Sequence, residues 1–324
     1  MENLPIIMLL AIVVASLYLI IKSADYFVKG AASVSRKVGI STFVVGLTVV
    51  AMGTSAPELF VNVIAASSGA TALSIGNILG SNVINILLGL GIAAIFVPLT
   101  IKSQAVWKEL PYSLLGAVMI FILGSDLLID GFGSNVITRT DGLALLAFFV
   151  IFMVYTFGLN KAQNGVEEPE VDMFSWVRSV AYIIAGLIGL MIGGKLVVES
   201  ATSIAQIAGL SQNLIGLTIV AIGTSLPEIV TSVVAVRKGF IDMVVGGVVG
   251  SNIFNALWAL GVTATVAPLP FGVDNITDAF FLMIVSVVFF VFMFIGKKHT
   301  LERWQGIAFV LVYIAYIIFA IWRG

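Results

Sequence analysis

The stretch Ala51-Met-Gly-Thr-Ser-Ala-Pro-Glu58 returns 170 positions later as Ala221-Ile-Gly-Thr-Ser-Leu-Pro-Glu228. Each copy places one proline and one carboxylate in the middle of a long apolar run. A carboxylate at membrane depth is costly, so by default it marks the path of an ion or a substrate. Two carboxylates in repeated surroundings are what a buried cation site needs.

The chain as a whole has the composition of a membrane protein. Of its 324 residues, 60% are hydrophobic and 10% are charged, whereas soluble domains are about 45–50% apolar and about 25% charged. The net charge of −1 and the lack of a basic run argue against nucleic-acid binding. The absence of cysteine excludes disulfides and thiolate chemistry. The solvent that this composition predicts is the lipid bilayer.

Ten apolar stretches are long enough to cross a bilayer, which takes about 20 residues per helix. The predicted spans are 4–34, 41–67, 71–97, 108–125, 141–160, 175–205, 212–236, 241–267, 277–296 and 303–322. Long continuous apolar runs are typical of helices, not of the alternating segments of a transmembrane barrel. The predicted fold class is therefore an all-α polytopic membrane protein with ten transmembrane helices.

The repeat extends well beyond the first motif. Residues 43–85 align with residues 213–255 without a gap, and 18 of the 43 positions are identical, many of them polar or glycine. Each half then contains five spans, and because five is odd the second half enters the membrane with the opposite polarity. Such inverted repeats in transporters place the site near the middle of the membrane, on interrupted helices.

The predicted organisation is two inverted five-helix repeats, 1–160 and 175–324, joined by a short acidic cytoplasmic linker, 161–174. The repeated motifs lie within about 43–97 of the first half and 213–267 of the second. Lys and Arg cluster on one side if the N-terminus is outside, which predicts a multi-pass plasma-membrane protein with both termini outside. On the outer side this arrangement leaves only Arg139 and Arg323.

The two prolines are expected to free backbone carbonyls at membrane depth. Proline lacks an N–H and clashes with the carbonyl four residues before it, so Pro57 and Pro227 should kink their helices. Carbonyls without partners at this depth must be satisfied by protein, water or an ion. We also expect Gly53, Gly80, Gly223 and Gly250 to allow close helix–helix approach.

Side-chain oxygens surround these carbonyls in both copies. A second repeated motif, Gly80-Ser-Asn-Val-Ile-Asn85 and Gly250-Ser-Asn-Ile-Phe-Asn255, places Ser and Asn at i and i+4, on one helix face. The candidate metal-binding residues are Glu58, Glu228, Thr54, Thr224, Ser55, Ser225, Ala51, Ala221, Ser81, Ser251, Asn85 and Asn255. Taken singly, a membrane Ser or Thr usually bonds back to a carbonyl; the symmetric cluster is what favours a site.

The cluster contains oxygen ligands alone, which hard cations such as Ca²⁺ and Na⁺ prefer, and it lacks the imidazole and thiolate groups that favour zinc or copper. Two glutamates would neutralise one Ca²⁺ or two Na⁺, so the same pocket could exchange one ion for the other by competition. The sequence indicates no cofactor and no nucleotide motif, and Ca²⁺ and Na⁺ are the predicted transported ions.

The paired Gly-Thr-Ser-x-Pro-Glu and Gly-Ser-Asn-x-x-Asn motifs resemble the two α-repeats of the cation/Ca²⁺ exchanger superfamily, in its prokaryotic Na⁺/Ca²⁺ exchanger branch. The resemblance covers nearly the whole chain and implies an antiporter that works by alternating access. It assigns Ca²⁺ to Glu58, Glu228, Thr54 and Thr224. It assigns Na⁺ to Ala51, Ser55, Ser81, Ala221, Ser225 and Ser251, with the glutamates shared.

Two features depart from the family pattern. Some relatives have Asp where this chain has Asn255, and in K⁺-dependent exchangers that Asp is tied to K⁺ transport, so Asn255 suggests K⁺ independence. Asp25 and Lys29 align with Lys195 and Glu199 in reversed charge order. We interpret both pairs as ion pairs at the membrane edge.

Two other functions remain open from the sequence. A Ca²⁺/H⁺ antiporter of the same fold could use two carboxylates that share a proton. A passive cation channel fits less well, because kinked inverted repeats suit movement around a fixed site. A membrane enzyme is the weakest hypothesis, since no cysteine and no nucleophile–base set is present. We also expect the long first and sixth spans to slide across a core formed by spans 2, 3, 7 and 8.

Overall fold

The computed structural model describes residues 4–131, 133–158, 173–209, 219 and 221–323, and it is almost entirely helical. In these residues nine helices are long and apolar enough to cross a membrane. They are Ile6–Val38, Thr42–Ser67, Leu73–Phe96, Ser103–Leu123, Arg139–Gly158, Trp176–Ile207, Ile241–Val266, Val273–Phe292 and Arg303–Arg323, here called spans 1–6 and 8–10. Span 7 is described as Ala221–Thr224 and Leu226–Arg237. The rest of its predicted range, and the predicted linker up to residue 172, lie outside the described residues.

Among the described residues, spans 2, 3 and 8 each contain a stretch of π-helix that the sequence does not predict, and Ile219 in span 7 is also π-helical. The stretches are Gly46–Val50 in span 2, Asn85–Leu90 in span 3 and Phe254–Ala259 in span 8, followed by α-helix at Ala51–Ser67, Gly91–Phe96 and Leu260–Val266. A π-helical turn shifts the hydrogen-bond register and often occurs at functional sites. Each stretch here adjoins or contains a residue of the repeated motifs.

Spans 3 and 8 form the centre of the molecule. In their most apolar windows 83% and 94% of the residues are buried, compared with 22% in spans 1 and 5. Span 2 packs on span 8, and span 7 packs on the π-helical part of span 3. Spans 2, 3, 7 and 8 therefore make the core, and the other spans turn much of their apolar surface outward, where lipid would cover it.

Spans 2 and 8 cross backbone to backbone. A Cβ added at Gly46 would lie 2.5 Å from the Met243 carbonyl oxygen, and a Cβ at Gly250 would lie 2.6 Å from the Leu47 carbonyl oxygen. A Cβ added at Gly80 would meet nothing within 4 Å among the described residues. The corresponding partners in span 7 fall in the stretch that the structure does not describe, so the predicted close approach at Gly80 stays a prediction.

Two short antiparallel strand pairs join the halves. Strand β1 (Leu99–Thr100) pairs with β4 (Thr300–Leu301), and β2 (Val136–Ile137) pairs with β3 (Leu269–Pro270). Because successive spans alternate in direction, β1 and β4 lie on the side where most Lys and Arg are found. We call this the basic side, and we call the side of β2 and β3 the opposite side.

Spans 1 and 6 pack against each other as an antiparallel pair. The hydroxyls of Ser33 and Ser179 are 2.9 Å apart and buried near one end. Farther along, a Cβ added at Gly186 would lie 2.7 Å from the Cβ of Phe27. Small residues thus bring the two backbones together, and the two helices form one unit beside the core.

Candidate ion-binding site

Two carboxylates meet inside the core where spans 2 and 7 face each other. Glu58 is 2% exposed and Glu228 is 4% exposed. The two carboxyl groups are close enough to interact electrostatically. Like charges in a buried place repel each other strongly, so this arrangement favours a cation between them.

Neither carboxylate has a hydrogen-bond partner among the described residues. The Thr54 hydroxyl lies beside Glu228, but it donates a 3.1 Å hydrogen bond to the Val50 carbonyl. Burying an ionised group without pairing is very costly. Two buried carboxylates without hydrogen-bond donors would destabilise the fold by themselves. They are well suited to bind a cation, which would supply the missing positive charge.

The other predicted side chains repeat this pattern. Ser55, Ser225, Asn85 and Asn255 are completely buried, and Ser81 is 3% exposed. Each has at least one buried polar atom without a hydrogen-bond partner in the described part of the chain. Buried polar groups are nearly always paired in proteins. A cluster of unpaired ones here indicates a site for cations that are coordinated by oxygen atoms.

The halves also contact each other directly at the site. The hydroxyls of Thr54 and Ser251 are 3.3 Å apart across the crossing of spans 2 and 8. The Ala51 carbonyl receives the Thr54 hydroxyl at 3.4 Å. Thr224 also makes an interaction with another group. It is the last residue of the short helix Ala221–Thr224. The structure thus joins Thr54, Glu228 and Ser251 by contact and places Glu58 within electrostatic range of Glu228, while the side chain of Ala221 lies outside its described part.

The two prolines act differently from each other. Helix Ala51–Ser67 continues through Pro57, and the irregularity ends about two turns earlier, in the π-helical stretch Gly46–Val50. In span 7 the helix is interrupted at Ser225, and Pro227 lies in the first turn of the next helix. The predicted break therefore occurs at the second proline, where a first-turn proline lacks an N–H that would be unpaired anyway.

Two asparagines near the site were not among the predicted ligands. Asn82 and Asn252 each donate a side-chain hydrogen bond to the other's backbone carbonyl at 3.4 Å. Asn252 also accepts a 3.1 Å bond from the Asn85 amide. This reciprocal arrangement links spans 3 and 8 at the centre of the repeat. Asparagine occurs at both positions, 170 residues apart, and this repeat is the sequence signal by which the pair could have been found.

A narrow cavity adjoins the site between spans 2, 7 and 8. Glu228, Thr54 and Ser251 line it, and Thr231 and Ser232 also line it farther along span 7. Thr231 is 3% exposed, and its hydroxyl has no hydrogen-bond partner in the described residues. Sequence comparison of the halves passes over Thr231, because its counterpart in the first half is valine.

Comparison with known proteins agrees with the helical membrane fold and the candidate cation site described above. The family described as sodium/calcium exchanger protein matches residues 8–158 and 178–322. A putative antiporter, CaxA of Alkalimonas amylolytica, is 36% identical over 94% of this chain and 96% of its own length. The inner membrane protein YrbG of Escherichia coli is 34% identical over 86% of each chain. The sodium-calcium exchanger NCX_Mj, soaked with Na⁺ and Sr²⁺, is 34% identical and superimposes with a TM-score of 0.82 over 97% of this chain and 99% of its own.

Proposed function

The chain belongs to the sodium/calcium exchanger family, a family of membrane antiporters and not of enzymes, and on that premise we propose that it exchanges Na⁺ for Ca²⁺. The ions would bind in turn at the site between Glu58 and Glu228. The site would open alternately to the two sides of the membrane, as inverted-repeat transporters do around a central site.

One observation carries this proposal. Glu58 and Glu228 are buried together and have no hydrogen-bond partner in the described residues. Their two negative charges balance one Ca²⁺ or two Na⁺, and hydroxyl, amide and carbonyl oxygens complete the surroundings. Ca²⁺ takes six to eight such oxygens in flexible geometry. Because either load neutralises the carboxylates, binding of one ion favours release of the other.

We assign the ligands by their places in the repeats. Ca²⁺ would take Glu58, Glu228, Thr54 and Thr224. Na⁺ would take the flanking places formed by Ala51, Ser55, Ser81, Ala221, Ser225 and Ser251, sharing the glutamates. Asn85 and Asn255 would complete the middle of the site as neutral oxygens.

A flanking hydroxyl should affect Na⁺ more than Ca²⁺. Replacing Ser225 with Ala removes a fully buried hydroxyl oxygen and is expected to raise half-saturating Na⁺ about fivefold, since one lost ligand is worth about 1 kcal/mol. Half-saturating Ca²⁺ should change less than twofold. Both constants can be measured as Na⁺-dependent ⁴⁵Ca²⁺ uptake in proteoliposomes. A variant that weakens Ca²⁺ and Na⁺ equally would contradict this assignment.

The absence of a third acid in the site has a consequence for K⁺. Asn255 is neutral and completely buried, so a K⁺ ion bound beside it would lack a balancing charge. Na⁺-driven Ca²⁺ uptake is therefore expected at the same rate with K⁺ or with N-methylglucamine as the accompanying cation. A requirement for K⁺ in this comparison would refute the role given to Asn255.

The repeat and the packing of the spans also support a proposal for which helices move during transport. We propose two five-helix halves, 1–160 and 175–324, in which the pair formed by spans 1 and 6 moves across the core of spans 2, 3, 7 and 8. The basic side would face the cytoplasm, with both termini outside the plasma membrane, following the rule that cytoplasmic loops are rich in Lys and Arg.

The deciding experiment compares counter-ions in one preparation. Proteoliposomes are loaded with Na⁺, with K⁺, or with an acidic interior, and ⁴⁵Ca²⁺ uptake is measured in Na⁺-free medium. Uptake that requires internal Na⁺ supports the proposal. Uptake driven equally well by protons would establish a Ca²⁺/H⁺ antiporter instead, and uptake without any counter-ion would mean a channel.

A further inference from the structure

Asp25 of span 1 lies between two lysines. Its carboxylate is 2.8 Å from the Lys29 ammonium, which confirms the predicted ion pair. It is also 2.6 Å from the ammonium of Lys238, which caps the basic end of span 7. The carboxylate is 27% exposed and the Lys238 side chain 29% exposed. The three charges thus tie span 1 to the basic end of span 7, and we call them the Asp25 bridge.

The second half has no equivalent among the described residues. The positions that correspond to Asp25, Lys29 and Lys238 are Lys195, Glu199 and Ser68. Lys195 and Glu199 form the other predicted pair at 3.7 Å, but they are 75% and 44% exposed and both belong to span 6. The Ser68 hydroxyl is donated to the Ala65 carbonyl of its own helix. The bridge therefore exists on the basic side and has no repeat counterpart.

Coverage of the core helices follows the same asymmetry. In span 2, Phe60 and Ile64 are 63% and 67% exposed on the stretch that leads from Glu58 to the opposite side. Their counterparts in span 7, Val230 and Val234, are partly buried, and span 1 packs along this helix. The basic-side half of the core is thus covered by span 1, while the opposite-side half is left less covered by span 6.

We propose that Asp25 and Lys238 are positioning residues that favour the conformation in which the ion site faces the opposite side of the membrane. The proposal rests on the proposed function, in which spans 1 and 6 move together. Moving span 1 away from span 7 would open the basic side and separate Asp25 from Lys238. Interactions made in one of two conformations shift the population toward it, and the repeat offers no equal interaction in the other.

The test uses ion affinities measured separately at the two faces. Half-saturating Ca²⁺ is determined in right-side-out and inside-out membrane vesicles for wild type, Asp25→Asn and Lys238→Gln. Loss of the bridge is expected to raise the value at the opposite face and to lower it at the basic face, each by about threefold, which is the scale of a partly exposed ion pair. Asp25→Asn combined with Lys238→Gln should act no more strongly than either alone.

The control is Glu199→Gln, which breaks the exposed pair of span 6 and is expected to shift neither face. A merely structural role for the bridge would weaken both faces alike or lower the yield of folded protein, and either result overturns the proposal. No change at either face overturns it as well. Wild-type protein without Na⁺-dependent Ca²⁺ uptake would remove the proposed function itself, a result that is distinct from an active exchanger whose faces do not respond to these substitutions.

Discussion

Replacing Glu228 with Gln is expected to abolish Na⁺-driven Ca²⁺ uptake. The amide keeps the shape of the side chain but leaves one carboxylate, Glu58, to balance two positive charges in a buried site. An uncompensated buried charge costs about 3–5 kcal/mol, and each 1.4 kcal/mol is tenfold in affinity. The expected loss of affinity is therefore about 10²-fold to 4 × 10³-fold, which puts uptake below the detection of a ⁴⁵Ca²⁺ assay. Glu58→Gln should behave in the same way.

Glu228→Gln is expected to fold as well as the wild type. Glu58 and Glu228 repel each other when both are ionised and no cation is bound, so Glu228→Gln is expected to match or exceed the wild type in thermal stability without Ca²⁺. Added Ca²⁺ stabilises whatever binds it in the folded state, and this stabilisation should appear in the wild type and vanish in the variant. Glu199→Gln serves as the control, since it removes an acid that is 44% exposed and outside the site. More than a tenth of wild-type uptake in Glu228→Gln would refute the site.

The repeated motifs were enough to predict which buried polar side chains lie together at the candidate site. Polar residues in a lipid-solvated helix are expensive, so a Glu, Ser or Asn kept at the same offset in both halves carries a strong physical signal. Glu58 and Glu228 are indeed buried together, and Thr54 lies against Ser251. Where the structure describes them, the span boundaries were also predictable to within a few residues, because bilayer thickness sets helix length.

Features that depend on contacts between elements were not predictable. The π-helical stretches leave no mark in composition, because their backbone register is decided by packing. Comparison of the two halves does not single out Thr231 and Lys238, because the corresponding residues, Val61 and Ser68, are different. A comparison of what the halves share finds the candidate site and overlooks what makes the two sides of the membrane unequal.

Gly250 provides the sharpest test of the contact between spans 2 and 8. Gly250→Ala is expected to lower Na⁺-driven Ca²⁺ uptake at least about tenfold. The added Cβ would lie 2.6 Å from the Leu47 carbonyl oxygen and 2.7 Å from the Ala51 Cβ, so spans 2 and 8 must move apart. Overpacking of this kind typically costs about 1–3 kcal/mol, and backbone atoms cannot rotate away. The shift would also separate Ser251 from Thr54 and displace the Ala51 carbonyl.

Gly89→Ala is the control, because it makes the same change in span 3, which also packs on span 8. Among the described residues, a Cβ at Gly89 would first meet the Cγ2 atom of Val248 at 3.5 Å, an ordinary van der Waals contact with a side chain, and alanine favours a helix over glycine by about 1 kcal/mol. Uptake by this variant should equal that of the wild type, and its melting temperature should be unchanged or higher. Uptake and thermal unfolding of the two variants decide the matter together. Equal damage from both would mean that any methyl group added to the core disturbs uptake, and equal tolerance would mean that the crossing of spans 2 and 8 can relax. Either result would contradict the expectation that the backbone contact at Gly250 keeps Ser251 against Thr54 in the proposed site.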